Sequence, residues 1–367
     1  MQKLGVLYLW LIVIVAVSCT EEITVQLTDD NSGIEWQNSY AEAFKVIQYA
    51  EGYQIQIIDP STKELVKNYF LGKEGVLHSV ELVPEKRNRI IPLSATHIGM
   101  MEQLKVEHHI VGVSNKQYLC SDFLINQVNK GKVASIGDIG QGDVEAYVSA
   151  QPDLIIFSGF DMNAPILKKL KSAGLSTFTN FDWKETHPLG RAEWIKVMGL
   201  LFNKVDEAQK LFDDICRDYD VLKDQVAHVE TKPGVLAGTM YGDIFNAPAG
   251  DSYMAQLLKD AGTSYVYNES KGVGSLSLSL EEVITMNKLT DYWINAAAQT
   301  KKDVLKMNER FQLLNAVKQD KVYSYYADVN CFWERAAITP HLILRDLCKI
   351  FHPDLINDEF VFYSKLN

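Results

Sequence analysis

Five cysteines and eight histidines are the residues of this 367-residue chain best suited to metal or covalent chemistry. The cysteines stand at 19, 120, 216, 331 and 348, too far apart for the paired spacing of a zinc knuckle or a redox dithiol. Cys19 is set apart by its place at the end of an apolar run; the other four read as small buried hydrophobes, with a disulfide permitted if the chain is exported but not demanded. The adjacent His108 and His109 lie beside a strand-like segment and read as surface residues. Strand–Gly-x-Ser-x-Gly, phosphate-loop, Gly-x-Gly-x-x-Gly and His-Glu-x-x-His patterns are absent, so nucleophilic, phosphoryl-transfer, dinucleotide and zinc-protease chemistries lose their sequence signatures. The chain does not read as an enzyme. Carboxylates are more informative, because they recur in register. Val144-Glu145 leads through a helix to Pro152-Asp153-Leu154-Ile155-Ile156. Leu280-Glu281 leads through a helix to Thr290-Asp291-Tyr292-Trp293-Ile294. A Glu in a first helical turn suits the helix dipole anywhere. Its repetition ahead of an Asp and an apolar strand points to two equivalent halves.

The N-terminus carries a second chemistry. Lys3 is followed by the apolar stretch Leu4–Val17 and then by Ala16-Val17-Ser18-Cys19 and the polar Thr20-Glu21-Glu22. The run is short for a membrane span and fits a signal peptide, residues 1–19. A Cys in that place resembles the lipobox of bacterial lipoproteins, which implies lipidation of Cys19. Export, tethering to a membrane and a periplasmic or surface location follow as expectations. The formal net charge of −11 argues against a nucleic-acid partner.

The elements that must position these residues follow from periodicity. Phe44, Val46 and Gln48, then Gly52, then Tyr53, Ile55 and Ile57 alternate about a turn, which predicts a hairpin, with a further strand over Val66–Phe70. From Arg89 the texture becomes strand–helix alternation, as in Ile90–Leu93, Ile110–Val113, Val144–Ala150 and Asp153–Ser158. It resumes at Val235–Gly238, Ser252–Ala261, Leu280–Met286 and Tyr292–Ala296. Such alternation predicts parallel, helix-covered sheets, an α/β chain. Between the halves, Arg191–Ala227 keeps helical spacing through Trp194, Met198, Leu201, Phe212, Ile215 and Tyr219. A second helix could begin at Asn203 or Asp206.

Several segments carry a resemblance in their order and spacing. They are Arg89–Thr96, Val111–Ser114, Gly137-Asp138 with Val144–Ala146, Gln151–Ile155, Asp251–Leu257 with Asp260–Gly262, Phe332–Arg335 and Ile350–Pro353. From about Arg89 to Leu355 the chain resembles the substrate-binding proteins of ABC importers for iron–siderophore complexes, haem and cobalamin. The resemblance implies two Rossmann-like lobes joined by a long rigid helix, with a ligand cleft between the lobes. The corresponding division is 20–190 for a first lobe with an extra β-hairpin, 191–228 for the linker helix and 229–367 for the second lobe. It implies a monomer with no cofactor of its own, whose transported ligand is a metal chelate: a ferric siderophore, haem or cobalamin. The partners implied are an ABC permease–ATPase, and the docking residues implied are Glu145 and Glu281, one per lobe, with Glu282 a competing choice. Strand-end loops would line the cleft. Their candidates are Ser94, Thr96 and His97; Tyr118; Tyr241 and Phe245; and Phe332, Trp333 and Arg335. The aromatics would wall a flat chelate and Arg335 would meet a carboxylate or phosphate. His97 departs from the usual residue there and could reach a haem or corrinoid metal. A sensor or interaction lipoprotein that kept the fold without transport is the competing function.

Overall fold

The computed structural model describes residues 33–114, 116–137, 143–325 and 331–367, the Tyr118 side chain excepted. Cys19 and the signal segment lie outside the described residues, as does the Tyr118 side chain.

Each half from Arg89 onward is a parallel sheet. In the first lobe Leu154–Ser158 lies between Thr177–Asn180 and Ile90–Pro92, all parallel. Ile90 bridges to Ile110, which leads into the parallel pair Gly112–Val113 and Ala134–Ser135. In the second lobe the order is Ser264–Tyr265, Gly234–Ala237, Tyr292–Ile294, Val322–Tyr325, with antiparallel Tyr363–Lys365 closing the edge. The central strands are buried on both faces, which is why they read as continuous apolar runs. The mixed α/β class with two lobes is as expected.

The predicted hairpin is present and forms part of a larger sheet. Phe44–Tyr49, Gly52–Ile58 and Leu65–Gly72 pair antiparallel, flanked by the short strands Ile34–Glu35 and Glu81–Leu82. Two buried carboxylates hold the segment leading into it. Glu193 accepts the amides of Ser39, Tyr40 and Ala41, each at 2.8 Å. Glu185 accepts those of Glu42 and Ala43 and the Trp194 indole N–H.

The linker region is not one rod. It runs as Pro188–Glu193, Ile195–Leu201 and Val205–Val226. His187 caps the first piece through Nδ1, which accepts the Leu189 amide at 3.1 Å, and Pro188 suits a first turn. Asn203, in the left-handed region at φ 56°, turns the chain between the second and third pieces. The last piece, about 33 Å long at 1.5 Å per residue, buries Ala208, Phe212, Ile215 and Tyr219 along one stripe. That stripe packs on the helices Ile195–Leu201 and Pro340–Phe351.

A disulfide joins Cys120 of the first lobe to Cys331 of the second, with Cα atoms 5.5 Å apart. This corrects the reading of those two cysteines as buried hydrophobes. Cys348 is buried and Cys216 half-buried, both as thiols. Among the described residues no helix is long and apolar enough to cross a membrane.

Candidate functional site: an aromatic cleft between the lobes

The carboxyl ends of the parallel strands face a shared cavity of about 620 Å³. Leu154–Ser158 delivers Phe160, on a tight turn whose start is capped by Ser158 Oγ accepting the Phe160 amide. Thr177–Asn180 delivers Trp183, and the two rings meet edge to face at 5.7 Å. From the other side Gly234–Ala237 delivers Thr239, Tyr292–Ile294 delivers Asn295, and Val322–Tyr325 ends at the wall in Tyr325 itself. The short helix Phe332–Arg335 then places two more rings. Phe332 stacks flat on Tyr325 at 3.7 Å, and Trp333 stands edge-on to both. Trp333 is 47% exposed and Phe160 77%, so large apolar faces line the opening.

The helix Phe332–Arg335 is pinned to the first lobe. Cys331 immediately precedes it, and the buried Glu334 accepts the Cys120 amide at 2.7 Å. Burial pushes the Glu334 carboxyl up to about 7. Gly99 lets the helix Ala95–Gln103 approach so closely that a Cβ there would lie 1.7 Å from the Glu334 carbonyl oxygen.

Several site expectations meet a different geometry. Phe245 is fully buried against Trp293 and Phe311, so it is a core residue and not a cleft wall. Alternation along Ile244–Pro248 turns Phe245 inward and Asn246 toward the cavity. His97 is also fully buried. The Ile156 carbonyl, which receives the Leu93 amide, also faces the imidazole. Burial lowers its pKa to about 4 against the pull of Asp182. His97 is therefore a neutral interior side chain in this structure and not a metal ligand at the cleft. Ser94 caps the helix Ala95–Gln103, its Oγ 3.0 Å from Thr96 Oγ1, and neither hydroxyl lines the cavity. Tyr241, 85% exposed, sits by the tip of the hairpin Thr239–Pro248, outside the lining. Arg335 lies over the Phe362 ring at 5.6 Å and near Glu102, also outside it. Phe332 and Trp333 do line the cleft.

Trp183, Asn246, Tyr253, Asn295 and Tyr325 are lining residues that sequence reasoning missed. Trp183 and Tyr325 follow or end strands that carry no clean apolar run, and strand ends were the signal to search.

Glu145 is exposed in the first turn of Val144–Ala150, beyond the Asp143 cap. Glu281 is exposed in the first turn of Leu280–Thr285 and pairs with Arg310. Glu282 is consumed by a capping box, its Oε2 accepting the Ser279 amide at 2.7 Å.

Two α/β lobes with an aromatic cavity at their facing strand ends define a solute-binding protein of the two-lobed transport class. The family model described as periplasmic binding protein matches residues 90–329, more than half of the chain, and the chain belongs to that family. Its members are substrate-binding transport proteins rather than enzymes. An uncharacterised lipoprotein of Methanocaldococcus jannaschii is 22% identical, covering 91% of this chain and 86% of its own length. A second lipoprotein from that organism is 26% identical, covering 89% and 86%. Among solved structures, a periplasmic haem-binding protein from Pseudomonas aeruginosa aligns with a TM-score of 0.62 at 17% identity, over 76% of this chain and 98% of that one. The petrobactin-binding protein of Bacillus subtilis aligns with a TM-score of 0.58 at 17% identity, over 82% and 99%. At those identities the likeness concerns the fold.

Proposed function

We propose that this chain is the lipid-anchored substrate-binding component of an ABC importer. It captures a metal chelate in the interlobe cleft and hands it to the membrane permease. The chelate is an iron complex, siderophore or haem, with cobalamin as the alternative cargo. The observation that carries this reading is the set of aromatic faces, Phe160, Trp183, Tyr325, Phe332 and Trp333, around a cavity of about 620 Å³. Flat or compact chelates bury well against such walls, and a few polar groups suffice to orient them. Cys19 would carry the anchor, and Glu145 with Glu281 would dock the lobes onto the permease.

The test is tryptophan fluorescence during titration with haemin, a ferric siderophore and cyanocobalamin. Trp183 and Trp333 face the cavity, so a bound chromophore quenches them. Saturable quenching at submicromolar concentration by one of the three, weakened in Trp333→Ala, is the expected outcome. No saturable response to any of them removes the chelate reading.

A further inference from the structure

The cleft lining contains no charged side chain among the described residues: its polar groups are the hydroxyls of Thr239, Ser252, Ser275, Tyr253 and Tyr325, the carboxamides of Asn246 and Asn295 and the indole N–H groups of Trp183 and Trp333. Two cations near the lining are ion-paired. Arg191, half-buried, lies 4.3 Å from the ring of the lining residue Tyr253, and its Nη2 is ion-paired to Asp182 at 2.8 Å. Lys184, 5.5 Å from the Trp183 ring, is ion-paired to Asp59 at 2.5 Å. Arg335 and Lys116 are exposed outside the lining. The helix start that opens on the cleft, at Tyr253, is capped by Ser252 Oγ, which accepts the Ala255 amide.

A binding protein for a polyanion needs uncommitted donors of positive charge, because a desolvated anion without a partner is costly to hold. This cleft offers aromatic faces and neutral donors and acceptors. Resting on the chelate-binding reading above, we infer that the cargo is a metal chelate with no net negative charge. Two sources share that chemistry: a ferric complex of a neutral trihydroxamate, and a cobalt corrinoid fringed with amides. Carboxamides such as Asn246 and Asn295 match the amide and hydroxamate oxygens of either. Catecholate complexes, propionate-bearing haem and metal oxyanions are the excluded classes.

The experiment titrates the full mature protein with five probes by tryptophan quenching or, for the colourless one, by calorimetry. Ferrichrome and cyanocobalamin are uncharged; ferric enterobactin, haemin and molybdate are anionic. One uncharged probe is expected to bind at least about a hundredfold more tightly than any anionic probe, and which one identifies the source. Its affinity should change less than about twofold between 50 mM and 500 mM salt, since no ion pair is formed. A second arm uses Asn246→Lys, which places a cation on the lining. It should raise affinity for an anionic probe about tenfold or more and weaken the uncharged one, with its melting temperature checked against the parent. Tighter binding of any anionic probe by the parent protein overturns the charge inference alone and leaves chelate capture intact. If none of the five binds, chelate capture and the inference fall together.

Discussion

Asp153 and Asp291 perform the same task in the two lobes. Each stands just before a central strand and accepts an amide at the start of the neighbouring strand. Asp153 Oδ2 takes Asn88 and Arg89 at 2.9 and 3.0 Å, and Asp291 Oδ2 takes Gly234 at 3.0 Å. Each returns its own amide to that neighbour, Asp153 to the Arg89 carbonyl at 2.7 Å and Asp291 to the Gly234 carbonyl at 2.8 Å. The internal repeat read from the sequence is thus a repeated strand-start clamp. A charge-assisted bond of this kind contributes about 1.5–3 kcal/mol, so Asp153→Ala and Asp291→Ala should each lower unfolding stability by that order. Because the sites lie in different lobes, the double variant should lose the sum, measured by urea denaturation. Losses under about 0.5 kcal/mol would show the clamps to be incidental.

Burial predicts how stability depends on pH. His97 has a folded pKa of about 4 against an ordinary 6.5. As pH falls the unfolded chain therefore takes up its proton first. The contribution of neutral His97 is fully present above pH 6.5 and is lost as pH drops from 6.5 to 4. The shift corresponds to a loss on the order of 3 kcal/mol. His97→Leu should flatten the stability profile in that window relative to the parent. His187, also lowered to about 4, is common to both proteins and cancels in the comparison. Parallel profiles from pH 7 to 4 would contradict the assignment.

The β-sheet added ahead of the lobes hangs on Glu193 and Glu185. Truncating Glu193 leaves the amides of Ser39, Tyr40 and Ala41, and the buried Lys196 ammonium 2.9 Å away, without their acceptor. Breaking one partner out of a buried charged set costs about 3–5 kcal/mol. Glu193→Ala should cost that much and speed hydrogen exchange at residues 39–43. Exchange in the second-lobe sheet should stay at the parent rate.

How much of this was legible in the sequence follows from what each pattern reports. Strands buried on both faces, such as Leu154–Ser158 and Gly234–Ala237, announce themselves as apolar runs. The helix Val144–Ala150 was legible over its full span. Along Arg191–Ala227 the break before Val205 falls where a second helix could begin, whereas the break at Trp194 is hidden because that buried ring keeps the apolar spacing. Along Ile244–Pro248 the sequence does not fix which of Phe245 and Asn246 faces the core, since a shift of one residue exchanges the two faces. The Cys120–Cys331 bond spans 211 residues, and spacing at that range carries no pairing information.

That disulfide gives the lobes a covalent tie besides the linker helices, next to the ring-bearing helix Phe332–Arg335. Closing so long a loop constrains the unfolded chain, and bonds of this type contribute about 2–4 kcal/mol. Reduction should lower the melting temperature of the parent protein and leave Cys120→Ser/Cys331→Ser unmoved. Together with the linker it should limit hinge motion, so apo and ligand-bound crystals should show little change in lobe separation. An equal response of both proteins to reductant would mean that the bond does not form.

The docking on the permease proposed above would use two carboxylates held out by different caps. Asp143 caps the helix that presents Glu145, its Oδ1 accepting the Glu145 amide at 3.2 Å. Ser279 and Glu282 close the capping box that presents Glu281. Glu282 is thereby committed to its own helix, and in the proposed docking Glu281 would exchange only the exposed Arg310 for a permease cation. Exposed ion pairs contribute about 0.2–1 kcal/mol each and act chiefly on encounter rate and register. Glu145→Arg with Glu281→Arg should therefore reverse the steering field at both contacts while leaving the cleft untouched. The expected result is an unchanged ligand Kd, within about twofold, and loss of stimulated ATP hydrolysis by the cognate importer in proteoliposomes. Each single reversal should act partially, and more strongly at low salt. Glu282→Gln is the matched control, because it trims the capping box and leaves both docking carboxylates in place. Undiminished stimulation by the double reversal would take Glu145 and Glu281 out of the interface and leave transport without its predicted contact.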